Sequence, residues 1–142
     1  MMSEDSDPRY SFDSAFIAPA NDPRLARATA RAQKRLPEFI DLLRERPAGV
    51  RFMVKAAFRR TDGRAGLKYM WVRVEAMEDN GVFVGTLDSD PKGATSEVAG
   101  DPLRIPAAEV QDWLYDRGGK KHVGGFSTPV LEQIERERRA SS

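Results

Sequence analysis

The hydrophobic period of the chain changes at Val50, and this change limits the possible fold more than any other feature. Between positions 25 and 43, apolar residues recur at three- and four-residue steps, as in Leu36, Phe39, Ile40 and Leu43. From Val50 onward, apolar and other residues alternate. The first period is typical of an amphipathic helix and the second of a strand. A helix followed by strands predicts an α+β domain.

The first helix carries clear end signals. Asp22 next to Pro23 predicts its start, because the carboxylate accepts from free backbone N–H groups and proline suits the first helical position. It is expected to end before Pro47. Pro37 interrupts the apolar stripe and predicts a kink or a restart near Leu36.

The middle of the chain predicts an antiparallel sheet of about four strands, with curling into a half-barrel as a variant. After a half-buried first strand, a second runs from Leu67 to Met77, and Asn80-Gly81 predicts a hairpin with a two-residue turn. The third and fourth strands are expected at 82–87 and 103–105.

Two helices are predicted in the last third. A short helix opens at Pro106, buries Trp113 and stops at Gly118, and a C-terminal helix starts near Thr128. Residues 21–140 therefore form one predicted domain. Residues 1–20 form an acidic tail, flexible or held by scattered apolar residues.

Composition excludes several function classes. The 142 residues contain 23 Lys plus Arg and 22 Asp plus Glu, so the net charge of +1 does not indicate a polyanionic partner. The absence of cysteine excludes thiol nucleophiles, disulfides and thiolate metal sites, and favours the cytoplasm. We expect no membrane span, and with one histidine we expect no metal or cofactor.

Six short segments carry a resemblance to a known family. They are Phe52-Met53-Val54-Lys55, Tyr69-Met70-Trp71-Val72, Phe83-Val84-Gly85-Thr86-Leu87, Gly100-Asp101, Asp112-Trp113-Leu114-Tyr115 and Gly124-Gly125-Phe126-Ser127. The chain resembles the bacterial domain-of-unknown-function family DUF2314 from about Ala26 to Ser127.

The resemblance implies the family's fold but no established activity. Tyr69 stands where the family usually has histidine, so a role for that histidine as general base or metal ligand does not transfer. Leu114 stands where methionine is common. The chain is also similar to small bacterial domains proposed as immunity proteins of toxin systems, which favours binding over catalysis.

Catalytic candidates are few. Asp101 and Asp112 could supply the carboxylate pair of a hydrolase, but their spacing does not show that they meet, and turn and helix-surface roles are favoured. Ser127 and Thr128 are expected to cap a helix. The loop at 118–125 lacks the ending of a phosphate-binding loop and is expected to connect elements with a mildly basic tip.

Binding candidates define the leading hypothesis, a non-enzymatic protein-binding or regulatory module. Tyr69, Trp71 and Arg73 share one side of the second strand and either form an exposed contact row or lie in a second core layer, the latter being slightly favoured. The neighbouring loop adds Lys120, Lys121 and His122 to the predicted contact. The alternative is nucleic-acid binding by a basic helix face formed by Arg24, Arg27, Arg31, Lys34 and Arg35. Hydrolysis ranks third.

Overall fold

A computed structural model describes residues 22–118 and 121–141. The predicted acidic tail, Lys120 and the possible anchors of the tail lie outside these ranges. Helix α1 spans Pro23–Glu45 and helix α2 spans Thr128–Ala140. The strands are β1 Arg51–Arg59, β2 Leu67–Met77, β3 Val82–Leu87, β4 Leu103–Pro106, β5 Asp112–Asp116 and β6 Val123–Gly124.

The strands form one sheet in the order β4-β3-β2-β1-β5-β6, and every neighbouring pair is antiparallel. The α+β class is confirmed, but the sheet has six strands instead of about four. It is not closed, and β4 and β6 form its edges. Neither helix in the described ranges is long and apolar enough to cross a membrane.

Helix α1 begins where the sequence predicts. The Asp22 carboxylate accepts from the Arg24 N–H at 2.8 Å, and Pro23 takes the first helical position. The predicted restart near Leu36 is wrong, because Pro37 lies on the exposed side of one continuous helix. The buried stripe of Leu36 and Phe39 packs on the sheet across the proline, and tertiary packing of this kind commonly sets helix length.

The Asn80-Gly81 hairpin forms, but its turn differs from the prediction. Gly81 donates to the Glu78 carbonyl at 3.0 Å, and the Glu78 N–H donates to the Val82 carbonyl at 2.8 Å. Gly81 has φ +82° while Asn80 is not left-handed. The connection is therefore a three-residue loop with a glycine bulge, which needs one positive φ instead of two.

The predicted Trp113 helix is wrong. A single 3₁₀ turn, Ala107–Glu109, precedes β5, which lies between β1 and β6. The Gln111 N–H donates to the Lys55 carbonyl at 2.8 Å, so the chain joins the edge of β1 before a second helical turn forms. Trp113 is nevertheless fully buried, as predicted.

The main core lies between α1 and one face of the sheet. Phe39 is at its centre, with ring centroids 5.4–5.6 Å from those of Phe52, Phe83 and Trp113. The Trp113 indole N–H donates to the Ala32 carbonyl at 2.9 Å. This bond fixes the position of α1 along the sheet as well as its distance from it.

A second core layer occupies the opposite face. Met53, Trp71 and Leu114 form a separate buried cluster, and Lys55 is buried on the same side of β1. The prediction of a half-buried β1 is therefore wrong. The second-layer alternative for Trp71 holds. Helix α1 does not form this layer, because it packs on the other face of the sheet.

We predict that Gly85→Ala destabilises the fold. A Cβ at Gly85 would overlap the backbone carbonyl oxygen of Arg73 on β2, next to the irregular register between Val74 and Ala76. Because a backbone atom cannot rotate away, we expect a loss of about 2–3 kcal/mol in the free energy of unfolding.

Urea denaturation followed by circular dichroism measures this loss. Thr86→Ala is the control, because Thr86 is the half-buried neighbour on the same strand. We expect the control to lose less than about 1 kcal/mol. Equal stability of Gly85→Ala and wild type would contradict the close approach of β2 and β3.

Candidate functional site

A buried polar cluster attaches α2 to the sheet. We call Lys55, Asp112 and Ser127 the Asp112 junction. Asp112 is fully buried, and its Oδ1 accepts from the backbone N–H groups of Trp113 at 2.8 Å and Phe126 at 3.0 Å. Its Oδ2 accepts from the Ser127 N–H at 2.9 Å and from the Ser127 hydroxyl at 2.5 Å.

Lys55 completes the junction from β1. Its Nζ donates to Ser127 Oγ at 2.8 Å and lies 5.1 Å from the centroid of the Trp71 ring. Ser127 precedes α2, but its hydroxyl binds Asp112 instead of a helix N–H, so the predicted capping bond is wrong. Lys55 and Ser127 are 4% and 6% exposed, which leaves the hydroxyl no open approach for a substrate.

The carboxylate pair of the third hypothesis does not form, and the favoured helix-surface role of Asp112 is wrong, because Asp112 is fully buried. Asp101 is exposed in the turn before β4, whereas Asp112 lies in β5, and three strands separate β4 from β5. Within 22–118 and 121–141, no group of three His, Asp or Glu side chains is arranged to hold a metal ion.

An open cleft of about 720 Å³ lies at one end of the sheet, and we call it the basic cleft. Its charged and titratable lining consists of Arg51, Arg73, Asp116 and His122, and Gly49 and Gly118 also border it. Arg73 and His122 are predicted contact residues, and the structure brings them together. Arg51 and Asp116 were not predicted.

Strand register explains why these side chains meet. Arg51 on β1 pairs with Asp116 on β5, and Met53 on β1 pairs with Arg73 on β2. Residues two apart on a strand share a face, so Arg51, Arg73 and Asp116 all project on the side opposite α1.

An ion pair fixes one wall of the cleft. Arg51 Nη2 and Nε donate to Asp116 Oδ2 at 2.7 and 3.1 Å, and the Gly118 N–H donates to Oδ1 at 3.1 Å. Burial opposes ionisation of Asp116, but hydrogen bonds from Arg51 and Gly118, with the charges of Arg51 and His122, outweigh it and lower its pKa. Asp116 is therefore ionised at neutral pH.

Arg73 differs from Arg51 in having no such partner. Its side chain is exposed, and it forms no hydrogen bond or ion pair within the part of the chain that the structure describes. A guanidinium presents five N–H donors in a rigid fork. The cleft therefore holds one arginine fixed by a carboxylate and one exposed arginine whose donors are unpaired within the residues described.

The other residues of the predicted contact row are less accessible. Trp71 is 4% exposed, so the row does not face solvent there. Tyr69 is half-buried, and burial raises its pKa. Lys121 is exposed next to His122, whereas Lys120 lies outside the described residues. Arg73 is the exposed member of the row.

The basic helix face is partly neutralised. Arg24 binds Asp22 and also Glu137 of α2, at 2.8 and 2.9 Å. Arg35 binds Glu38 at 2.9 Å, and its guanidinium lies 5.4 Å from the centroid of the Phe126 ring. The three other members of the predicted face, Arg27, Arg31 and Lys34, are exposed.

One sequence signal could have located the missed residues. Tryptophan and tyrosine favour strands, and a strand at 112–116 places Trp113 and Tyr115 on one face and both aspartates on the other. With that assignment, Asp112 and Asp116 would have been predicted to lie on one face of a strand and not on the surface of a helix. The pairing of Asp116 with Arg51 still depends on register.

The model of a bacterial protein family, "Uncharacterized protein conserved in bacteria (DUF2314)", matches residues 22–141. The chain belongs to the DUF2314 family. It is also 31% identical over 111 residues to the uncharacterized protein YegJ of Escherichia coli (strain K12). The aligned region covers 78% of this chain and 69% of YegJ. No solved structure matches the chain. The predicted membership is confirmed, and the match includes both the Asp112 junction and the basic cleft.

We predict that Ser127→Ala weakens the DUF2314 fold. The change removes the hydroxyl between Lys55 Nζ and Asp112 Oδ2 and leaves two buried polar groups each short of a bond. An unsatisfied buried polar group costs about 1–3 kcal/mol, which is the expected loss in the free energy of unfolding.

Chemical denaturation of the variant gives this loss directly. Ser96→Ala is the matched control, since Ser96 is exposed, and it should change stability by less than about 0.5 kcal/mol. If both alanine variants unfold at the wild-type midpoint, Ser127 does not link α2 to the sheet as described.

We predict a pH-dependent effect of Asp116→Asn. Because folding lowers the pKa of Asp116, the carboxylate stabilises the fold above its unfolded pKa of about 3.9, and this contribution is lost as the pH falls through the lower folded value. The half-exposed Arg51 limits the contribution to about 1 kcal/mol.

Unfolding free energies of wild type and Asp116→Asn at pH 7, 5 and 3 test the prediction. Their difference should be the same at pH 7 and 5 and smaller at pH 3. A difference that grows with acidity would show the opposite linkage and contradict the lowered pKa.

Proposed function

We propose that this DUF2314 domain is a non-enzymatic, cytoplasmic binding module that contacts a protein partner through the basic cleft. The observation that carries the proposal is the exposed Arg73 guanidinium beside the fixed Arg51–Asp116 pair. Lys121 and His122 are the further contacts. Arginine next to a pocket is a common centre of protein interfaces, because its fork forms several hydrogen bonds from one side chain.

The placement of the reactive groups favours binding over catalysis. Lys55, Asp112 and Ser127 have the chemistry that a catalytic site needs, but they are buried and bonded to one another. Hydrolysis by Asp101 and Asp112 has no geometric support, because Asp101 lies in the turn before β4 and three strands separate β4 from the β5 strand of Asp112. The exposed polar groups of the cleft are suited to holding a charged group.

Nucleic-acid binding is the second candidate. Arg27, Arg31 and Lys34 are exposed at i, i+4 and i+7 on α1, which places them on one helix face. This face is smaller than predicted, because acidic side chains bind Arg24 and Arg35. Three phosphate contacts would give a modest but measurable salt dependence of binding.

We predict that Arg73→Glu abolishes partner retention. The tagged full-length chain, expressed in its native cell, is compared with Arg73→Glu and with the matched control Arg31→Glu. A charge reversal at the cleft should reduce the retained partner at least tenfold, or about 1.4 kcal/mol in binding free energy. Arg31→Glu should retain it.

Mass spectrometry and absorbance at 260 nm identify what is retained. Loss of nucleic acid by Arg31→Glu, with no effect of Arg73→Glu, would favour the second candidate. Equal retention of the same proteins by wild type and both variants would refute the cleft as the contact surface. Circular dichroism confirms beforehand that both variants fold.

A further inference from the structure

We infer that the basic cleft is a receptor for a single carboxylate group, presented by an acidic side chain or by the C-terminus of a partner polypeptide. This inference rests on the proposed function and specifies the group that the cleft binds. Binding of the carboxylate involves no chemical reaction.

The two arginines are spaced to hold one anion together. Met53 lies directly opposite Arg73, and Arg51 is two residues before Met53 on the same face. Diagonal neighbours of this kind in an antiparallel pair are about 7–8 Å apart. Long arginine side chains rooted at that distance, on one wall of a common cleft, can both reach a group the size of a carboxylate.

The hydrogen bonds of Arg51 show which donors remain for a ligand. Its Nε and Nη2 both donate to Asp116 Oδ2, and Nη1 has no partner among the residues described. Arg73 keeps its complete fork. A carboxylate could therefore bind Arg73 through two parallel N–H bonds, the geometry that arginine favours, while Arg51 adds one donor and its charge.

The charges that line the cleft favour a monoanion. Among the described residues that line the cleft, Arg51 and Arg73 supply two positive charges and Asp116 supplies one negative charge, which leaves one positive charge apart from His122. A carboxylate balances this charge, whereas a phosphate carries up to two negative charges and meets Asp116 as a like charge. Two exposed charges flank this lining and balance each other, namely Glu75, two residues beyond Arg73 on β2, and Lys121, next to His122.

The position of His122 depends on a glycine. A Cβ on Gly125 would lie 2.9 Å from His122 Nε2, so a larger residue at this position would make the imidazole shift. Gly125 also has φ +74°, which glycine adopts readily. His122 therefore borders the cleft with one edge of its ring against Gly125, close enough to Asp116 for its charge to act on that carboxylate.

Nuclear magnetic resonance of the full chain tests the inference at constant ionic strength. The backbone amides and arginine Nε–H groups are followed while four probes are added: acetate, inorganic phosphate, an acetylated trialanine with a free C-terminus, and an acetylated, amidated peptide with one glutamate. Amidated trialanine, which lacks a carboxylate, is the negative control. The Arg73 Nε–H resonance should shift and saturate with the carboxylate probes and not with the control.

Variants identify the side chains responsible. Arg73→Gln should weaken carboxylate binding at least tenfold, Arg51→Gln should weaken it less, and the matched control Arg31→Gln should leave it unchanged. Tighter binding by the terminal or the glutamate probe identifies the source of the carboxylate, and either supports the inference. Tighter binding of phosphate, a non-saturable shift, or unchanged binding by both cleft variants would overturn it.

The result can be separated from that of the proposed function. If Arg73→Glu loses a protein partner but no carboxylate probe saturates the cleft, the carboxylate inference fails and the binding-module proposal stands. If carboxylates bind at Arg73 but no protein is retained, the cleft is a carboxylate site, and the partner polypeptide required by both the proposed function and the inference is refuted.

Discussion

The hydrogen bonds to the Asp112 carboxylate are the interactions on which the rest of the structure depends. A fully buried carboxylate is very unfavourable unless its oxygens are bonded, and here all four bonds come from Trp113, Phe126 and Ser127. They join β5 to the segment that enters α2. Because Trp113 is the next residue on β5, the same anchor places its indole against Phe39 and the Ala32 carbonyl. The hydrogen bonds at Asp112 therefore help to position both the segment that enters α2 and the indole of Trp113 in the main core.

The segments that carry the family resemblance largely have structural roles. Gly85 permits the close approach of β2 and β3, and Gly124 does the same beside Trp113. Asp112 and Ser127 form the junction. Membership in DUF2314 is thus visible in residues that determine the fold. The basic cleft depends on Arg51, Asp116 and His122, which lie outside the six matching segments, so the resemblance indicates the architecture better than it indicates the ligand.

Local signals explain what the sequence predicts correctly. The start of α1, the hairpin after β2 and the buried faces of β1 and β2 follow from caps, turn residues and periodicity within a few residues. Local signals predict the Trp113 segment wrongly, because pairing with β1 overrides a short helical pattern. The junction and the cleft are also non-local: Lys55 and Ser127 are 72 positions apart, and Arg51 and Asp116 are 65 apart. Arg73 is predictable from alternation alone, whereas its neighbours require the register of three strands.

The ion pair between Arg24 and Glu137 has a consequence for the connectivity of the domain. It joins the first turn of α1 to the last turns of α2, so the first and the last element of the described residues meet at the same corner. Domains whose ends are close together tolerate insertion into a loop of another protein and circular permutation. The unit can thus be carried by a larger host as a side module, with two adjacent attachment points and no need for the host to span it.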